Sequence, residues 1–486
     1  MRIYSNVIHI GHPGCFYLDG EWCPPREQQD YALVDPSTEM RHDGFSLGGL
    51  EDADAAVAAA RRAFDEGPWP TMDPRKRSEL IGALADALEA RRLELEEAWT
   101  LQMGATTRMR AKAIDNGINH FRRAEQQVDS FAFERAESSA AGEAIIRYEP
   151  VGVVAAIAAW NGPLLQMASK VGPALAAGCT VVMKPAAQTP IEAIIIAECA
   201  QAVGIPNGVL NFILLDRSGA DKLIADTRVD KVSFTGSTEV GRHIARVCGD
   251  RIARYTLELG GKSAAIVLDD VDVADVGKIM GRTITALSGQ LCTMLSRVIV
   301  LEDRHDALAE AIAAEMARVK IGDSRDPATE MGPLASPRQL VNVQQYVDKA
   351  RQEGARLIYG GRRPSHLDRG FFHEPTLFCD VASHDAIAQE EIFGPVLSLI
   401  KAKDEDDAVR IANDSIYGLH GSVFTRDRDR ARSIARRVRT GSFGQNGMKL
   451  DFALPFGGYK QSGIGREGGA DAMVPYLEIK TILLDK

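Results

Sequence analysis

Between residues 52 and 134, apolar positions recur at helical spacing. Leu80, Leu84 and Leu88 fall four apart and alanine is plentiful, so this stretch reads as helix. Near residue 145 the period changes. Short runs rich in valine and isoleucine now alternate with helical segments: VGVVAAIAA (151–159), CTVVMK (179–184), VLNFIL (209–214), DKVSFTG (230–236) and YTLELGG (255–261). Strands separated by helices predict a mainly parallel sheet joined by right-handed crossovers. A second alternating block follows. SRVIVLE (296–302) reads as a strand, and Leu308, Ile312 and Met316 mark a helix that ends before Gly322. ARLIYGG (355–361), TLFCDV (376–381) and VLSLIK (396–401) are further strand candidates. The pattern predicts two α/β domains.

Length and composition fit that picture. The 486 residues suggest about three structural units. Hydrophobic residues make up 45% and charged residues 26%, as in an ordinary globular protein. A chain this long buries enough surface to need neither disulfide nor metal. The net charge of −10 argues against a general nucleic-acid binder, which must neutralise phosphates. The arginines between Arg426 and Arg439 are interleaved with Asp427 and Asp429 over an apolar stripe of Ile434 and Val438, so they read as a solvated helix face. Seven widely spaced cysteines, with no C-x-x-C, predict reduced thiols in a cytosol-like compartment. No zinc-ligand pattern emerges from the ten histidines, and no metal is expected.

The N-terminus lacks the apolar core and cleavage site of a signal peptide. The stretch 151–183 carries a single charge, Lys170, but Asn161-Gly162-Pro163 and Gly172-Pro173 interrupt it. It reads as buried strand, turn and helix rather than a membrane span.

Two glycine motifs are rejected. Gly463, Gly465 and Gly468 match G-x-G-x-x-G. Yet the preceding PFGGYKQS is turn-like, and too little chain follows for a βαβ unit with its acidic residue. Gly236 and Gly241 resemble half a phosphate-binding loop, but Arg242-His243 replaces the required Lys and Ser/Thr.

Three residues carry candidate chemistry. Cys292 follows Gly-Gln in a turn-like stretch before a strand. Glu258 ends a strand and precedes two glycines. Asn161 ends the most apolar strand, where an amide can donate to an oxyanion. Strand ends are where α/β folds build sites. Taken singly, each also has an ordinary reading: a small buried hydrophobe, a surface carboxylate, a turn former.

Several segments in order carry a stronger signal: AWN (159–161), MKPAAQTP (183–190), FTGSTEVG (234–241), LELGGK (257–262), GQLC (289–292), EEIFGPV (390–396) and PFGGYKQSGIGRE (455–467). Together, and with Glu258 and Cys292 34 residues apart, they resemble the aldehyde dehydrogenase superfamily from about Tyr17 to the end.

The resemblance implies a modified Rossmann cofactor domain (1–130 and 150–256), an α/β catalytic domain (257–445) and a small β oligomerisation arm (131–149 and 470–486). It implies a homodimer or homotetramer that oxidises a small-molecule aldehyde to a carboxylic acid with NAD, NADP being possible. Cys292 is the implied nucleophile, Asn161 the oxyanion donor, Glu258 the general base, and Glu467 a proton-transfer aid or an internal ion-pair partner. Trp160, Lys184, Gly236, Ser237, Leu259, Gly260, Glu391 and Phe393 are the implied cofactor contacts.

Two departures stand out. Ala187 replaces the glutamate by which many members bind the 2′-hydroxyl and repel a 2′-phosphate. Gly162 follows the asparagine where many carry an aromatic, which widens the aldehyde channel. With Gly162, the candidate walls are Leu165, Gln166, Ser169, Leu291, Met294 and Phe456. None is cationic, which favours an apolar or aromatic aldehyde. The alternatives are a CoA-acylating relative, which generally lacks the glutamate at 258, and a catalytically silent member of the fold.

Overall fold

The computed structural model describes residues 2–3 and 7–485. Two sheets organise it, each fed by the runs of apolar residues in the sequence. The first has eight strands in the order Gly463–Ile464, Arg254–Glu258, Lys231–Thr235, Val153–Ile157, Thr180–Lys184, Leu210–Phe212, Phe16–Leu18, Glu21–Cys23. Its five central strands are parallel. Val153–Ile157 is buried throughout, as a strand covered by helices on both faces must be. The chain enters and leaves this sheet so that strand order reverses between Val153–Ile157 and Lys231–Thr235. That reversal opens a crevice at the carboxyl ends of the two strands.

The second sheet runs Arg356–Tyr359, Thr376–Cys379, Val396–Ala402, Leu295–Leu301, Ser263–Val267, His420–Phe424, Ser442–Gln445. It is parallel apart from the edge strand Arg356–Tyr359. A third sheet is antiparallel and holds Leu477–Leu484, Gly142–Pro150 and Glu134–Ser139. The expected helical stretch 52–134 is four helices: Leu50–Asp65, Pro74–Ala90, Arg92–Met103 and Thr107–Ser130. Asp73 caps the second by accepting from Arg75 N at 2.8 Å, with Pro74 at its first position.

The rejected motifs have structural roles of their own. Gly463–Ile464 opens no helix; it pairs antiparallel with Leu257–Glu258 and closes the sheet edge beside the candidate base. The arginine run forms the helix Arg428–Arg437, with Ile434 buried and Arg430 paired to Asp269 and Glu405, both at 2.6 Å. Among the described residues no helix is long and apolar enough to cross a membrane, and no cluster of His, Cys, Asp and Glu could hold a metal ion.

Candidate active site

Asn161 follows the strand Val153–Ile157 and precedes the helix Pro163–Ala177, so it stands at the crevice. It is 6% exposed. Its Oδ1 accepts from Gln166 Nε2 at 2.7 Å, and Gln166 Oε1 in turn accepts from Ala159 N at 2.8 Å. With its oxygen so occupied, the amide nitrogen faces the other way and donates to Gln290 O at 3.0 Å. That carbonyl lies two residues before Cys292. Gln166, expected only as a wall, therefore also orients Asn161.

Cys292 is carried by an unusual turn. Leu287, Ser288 and Gly289 all have left-handed backbone, with φ of 49°, 54° and 74°. Non-glycine residues occupy that region only when surroundings enforce it. Ser288 Oγ donates to Gly332 O at 2.7 Å, and Gln290 Oε1 accepts from Ala335 N at 2.9 Å. At Gly289 a Cβ would lie 2.2 Å from Gly394 O, so only glycine fits. Burial pushes the Cys292 thiol up to about 12, aided by the charges of Glu391 and Glu258; the N–H groups of Cys292 and Thr293 act in the opposite direction.

Glu258 ends its strand and is buried, with neither carboxylate oxygen hydrogen-bonded to another described residue. Burial, then the charge of Glu467, hold its pKa well above the ordinary carboxylate value. Glu467 is itself anchored. Its Oε1 accepts from the fully buried Lys170 Nζ at 2.5 Å, and its Oε2 from Ser169 Oγ at 2.7 Å. Lys170 also donates to Thr235 Oγ1 at 2.7 Å.

Asn161, Cys292, Glu258 and Glu467 line one cavity of about 420 Å³. Gly162, Leu165, Gln166, Ser169, Leu291 and Phe456 line it too. Met294 does not, which corrects the expected wall. It directly precedes the strand Leu295–Leu301 and turns into the core with Met280, Leu308 and Ile312. Met448, Leu450 and Phe452 supply wall from a loop with no periodicity to read, and Trp99 and Met109 from helices whose apolar faces read as core. Arg108 and Lys112 add exposed positive charge to the lining, which the chosen wall residues did not reveal.

The expected cofactor residues gather at the same edge. Trp160, Lys184 with Ala187, Gly236 with Ser237, and Leu259 with Gly260 lie at or just beyond the carboxyl ends of four neighbouring parallel strands. Ser237 caps the helix Thr238–Asp250, accepting from Val240 N at 3.3 Å, and the positive end of that helix faces the crevice. Burial lowers Lys184 to about 8. Glu391 accepts from Gly261 N at 3.0 Å, and a Cβ on Gly260 would meet its Oε2 at 2.1 Å. Phe393, at φ 56°, lies edge-on to Trp160 with ring centroids 5.2 Å apart. A helix N-terminus for a pyrophosphate, a half-buried lysine and a side-chain-free cradle beside a carboxylate fit a dinucleotide.

An α/β fold with a strand-order switch, and a cysteine, an amide and a buried carboxylate around one cavity, defines an enzyme class built on a cysteine beside a nucleotide crevice. The sequence model of the Aldehyde dehydrogenase family matches residues 22–482, and the chain belongs to that family. It is 40% identical over 471 residues to geranial dehydrogenase of Castellaniella defragrans, covering 96% of this chain and 98% of that one. It is 41% identical over 472 residues to the 3-succinoylsemialdehyde-pyridine dehydrogenase of a Pseudomonas species, with the same coverage. Its fold superposes on aldehyde dehydrogenase C of Pseudomonas syringae, solved with NAD+ and octanal, at a TM-score of 0.94 and 36% identity, covering 99% of both chains.

Proposed function

We propose that this chain oxidises an apolar or aromatic aldehyde to its carboxylic acid with NAD, through a covalent bond to Cys292. The observation that carries the proposal is the convergence of Cys292, Asn161 and an unpaired Glu258 on one largely apolar cavity. The Cys292 thiol gives up its proton to solvent, and the thiolate sulfur adds to the aldehyde carbon. Asn161 Nδ2 and the Cys292 N–H hold the oxygen as it gains charge; losing one such donor typically costs about 2.7–4 kcal/mol in the barrier. Bound NAD supplies the hydride acceptor. A thioester then remains on Cys292. Glu258, poorly solvated and so strongly basic once ionised, takes a proton from water, and the hydroxyl adds to the thioester carbon and releases the thiol. Lys170 and Ser169 hold Glu467 near this base, where its charge adds to burial in raising the Glu258 pKa.

Ala187 leaves no carboxylate to repel a 2′-phosphate, which supports NADP as an alternative coenzyme. Geranial, octanal and the pyridine semialdehyde of the relatives support an apolar or aromatic substrate. Glu258 favours water over CoA as acyl acceptor, and the intact trio argues against a silent protein. We assign cofactor binding to 1–130 and 150–256, catalysis to 257–445, and assembly of a homodimer or homotetramer to the arm of 131–149 and 470–486. Seven free thiols support a reducing, cytoplasmic setting. A panel of alkyl and aryl aldehydes crossed with NAD and NADP, followed by absorbance of the reduced coenzyme, tests the reading. Turnover with octanal or an aryl aldehyde is expected; none across the panel would refute it.

A further inference from the structure

The aldehyde cavity contains two buried polar atoms that the reaction above does not use. His120 lies on the cavity side of the helix Thr107–Ser130, one turn beyond Asn116. It is 6% exposed, and its Nε2 has no hydrogen-bond partner among the described residues. Glu192, near the start of the helix Ile191–Ala202, reaches the same cavity fully buried. Its Oε2 accepts from Gln102 Nε2 at 2.7 Å, while its Oε1 has no partner among those residues. Burial, with Arg123 and Lys170 nearby, lowers the His120 imidazole to about 3, so it is neutral at working pH. A neutral imidazole nitrogen donates or accepts according to its tautomer.

Leu164, Leu165 and Ile114 make much of the surrounding wall hydrocarbon. A purely hydrocarbon occupant leaves the buried imidazole nitrogen without a partner, whereas an occupant whose heteroatom reaches it supplies the missing bond. Leaving a buried polar atom unpaired is the costly case, and sites with such an atom discriminate strongly against substrates that lack its partner.

We infer that His120 is a specificity-determining residue, and that the cavity prefers aldehydes whose alkyl or aryl body carries a hydrogen-bonding heteroatom: a hydroxyl, a keto oxygen or a ring nitrogen. This rests on the dehydrogenase reading above. Matched pairs test it: benzaldehyde against the three pyridinecarbaldehydes, and octanal against 8-hydroxyoctanal, with wild type, His120→Phe and His120→Gln. In wild type, at least one heteroatom-bearing member should exceed its hydrocarbon partner in kcat/KM. His120→Phe should reduce that ratio about tenfold or more, mainly through KM, and His120→Gln should retain more of it. Equal kcat/KM within every wild-type pair, or an equal loss for both members in His120→Phe, would overturn the inference and leave the dehydrogenase reading standing. Failure to oxidise any of these aldehydes with either coenzyme would refute that reading, and the inference with it.

Discussion

Burial raises the Cys292 thiol to about 12, and the charge of Glu391 is the next contribution. Glu391 is itself lifted by burial to about 7, so its charge acts on the sulfur chiefly above that pH. In Glu391→Gln that negative charge is gone and the thiolate is less disfavoured. Alkylation of Cys292 by iodoacetamide should therefore reach half its maximal rate at a lower pH than in wild type; an unchanged profile would separate the two groups. We propose that coenzyme choice turns on Ala187. Ala187→Glu should raise KM for NADP about tenfold or more, by charge repulsion, and change KM for NAD far less. Steady-state kinetics with both coenzymes check it.

At the scale of elements, the turn bearing Cys292 is held by contacts to two distant segments, at Gly332 and Ala335 on one side and Gly394 on the other. Gly289→Ala would force a Cβ against Gly394 O in a left-handed backbone, displacing the turn. Displacement of a nucleophile by about 1 Å can cost ~100-fold in rate. The variant should lose about that in kcat while a thermal melt still shows a folded protein; wild-type kcat would contradict the role given to this turn. Much of this architecture was legible in sequence. Val153–Ile157 is apolar throughout, and VVM in Thr180–Lys184 and VIVL in Leu295–Leu301 are unbroken apolar runs, as suits strands buried on both faces. Other elements were not legible. Ser263–Val267 (SAAIV) is too short and alanine-rich for its period to mark a strand, although Gly260-Gly261 separates it from Arg254–Glu258. Phe16–Leu18 and Glu21–Cys23 are too short for a period. Lys170 was visible as a lone charge in an apolar run, and burial requires a partner. That the partner is Glu467, 297 residues away, is fixed by tertiary structure alone. His120 was hidden for a similar reason: a histidine on an amphipathic helix reads as core or surface until a cavity is seen beside it.

At the scale of the whole molecule, the three-stranded sheet stands apart from the two large ones. Its outer strand Glu134–Ser139 is exposed along most of its length, and Leu477–Leu484 leaves Ile479 65% and Leu483 54% exposed. An open edge with exposed apolar side chains is a surface that another chain can cover. Replacing both residues by aspartate should shift the protein to a smaller species in light scattering coupled to size exclusion. An unchanged mass would contradict the assembly role proposed for this arm.

The central claim is that an acyl group passes from Cys292 to water activated by Glu258. Rapid mixing of the Glu258→Gln enzyme with excess aldehyde and coenzyme tests it most directly. The predicted trace is a burst of reduced coenzyme close to one equivalent per site, followed by a steady rate at least about 100-fold below wild type. A steady rate equal to wild type, with no burst, would contradict it.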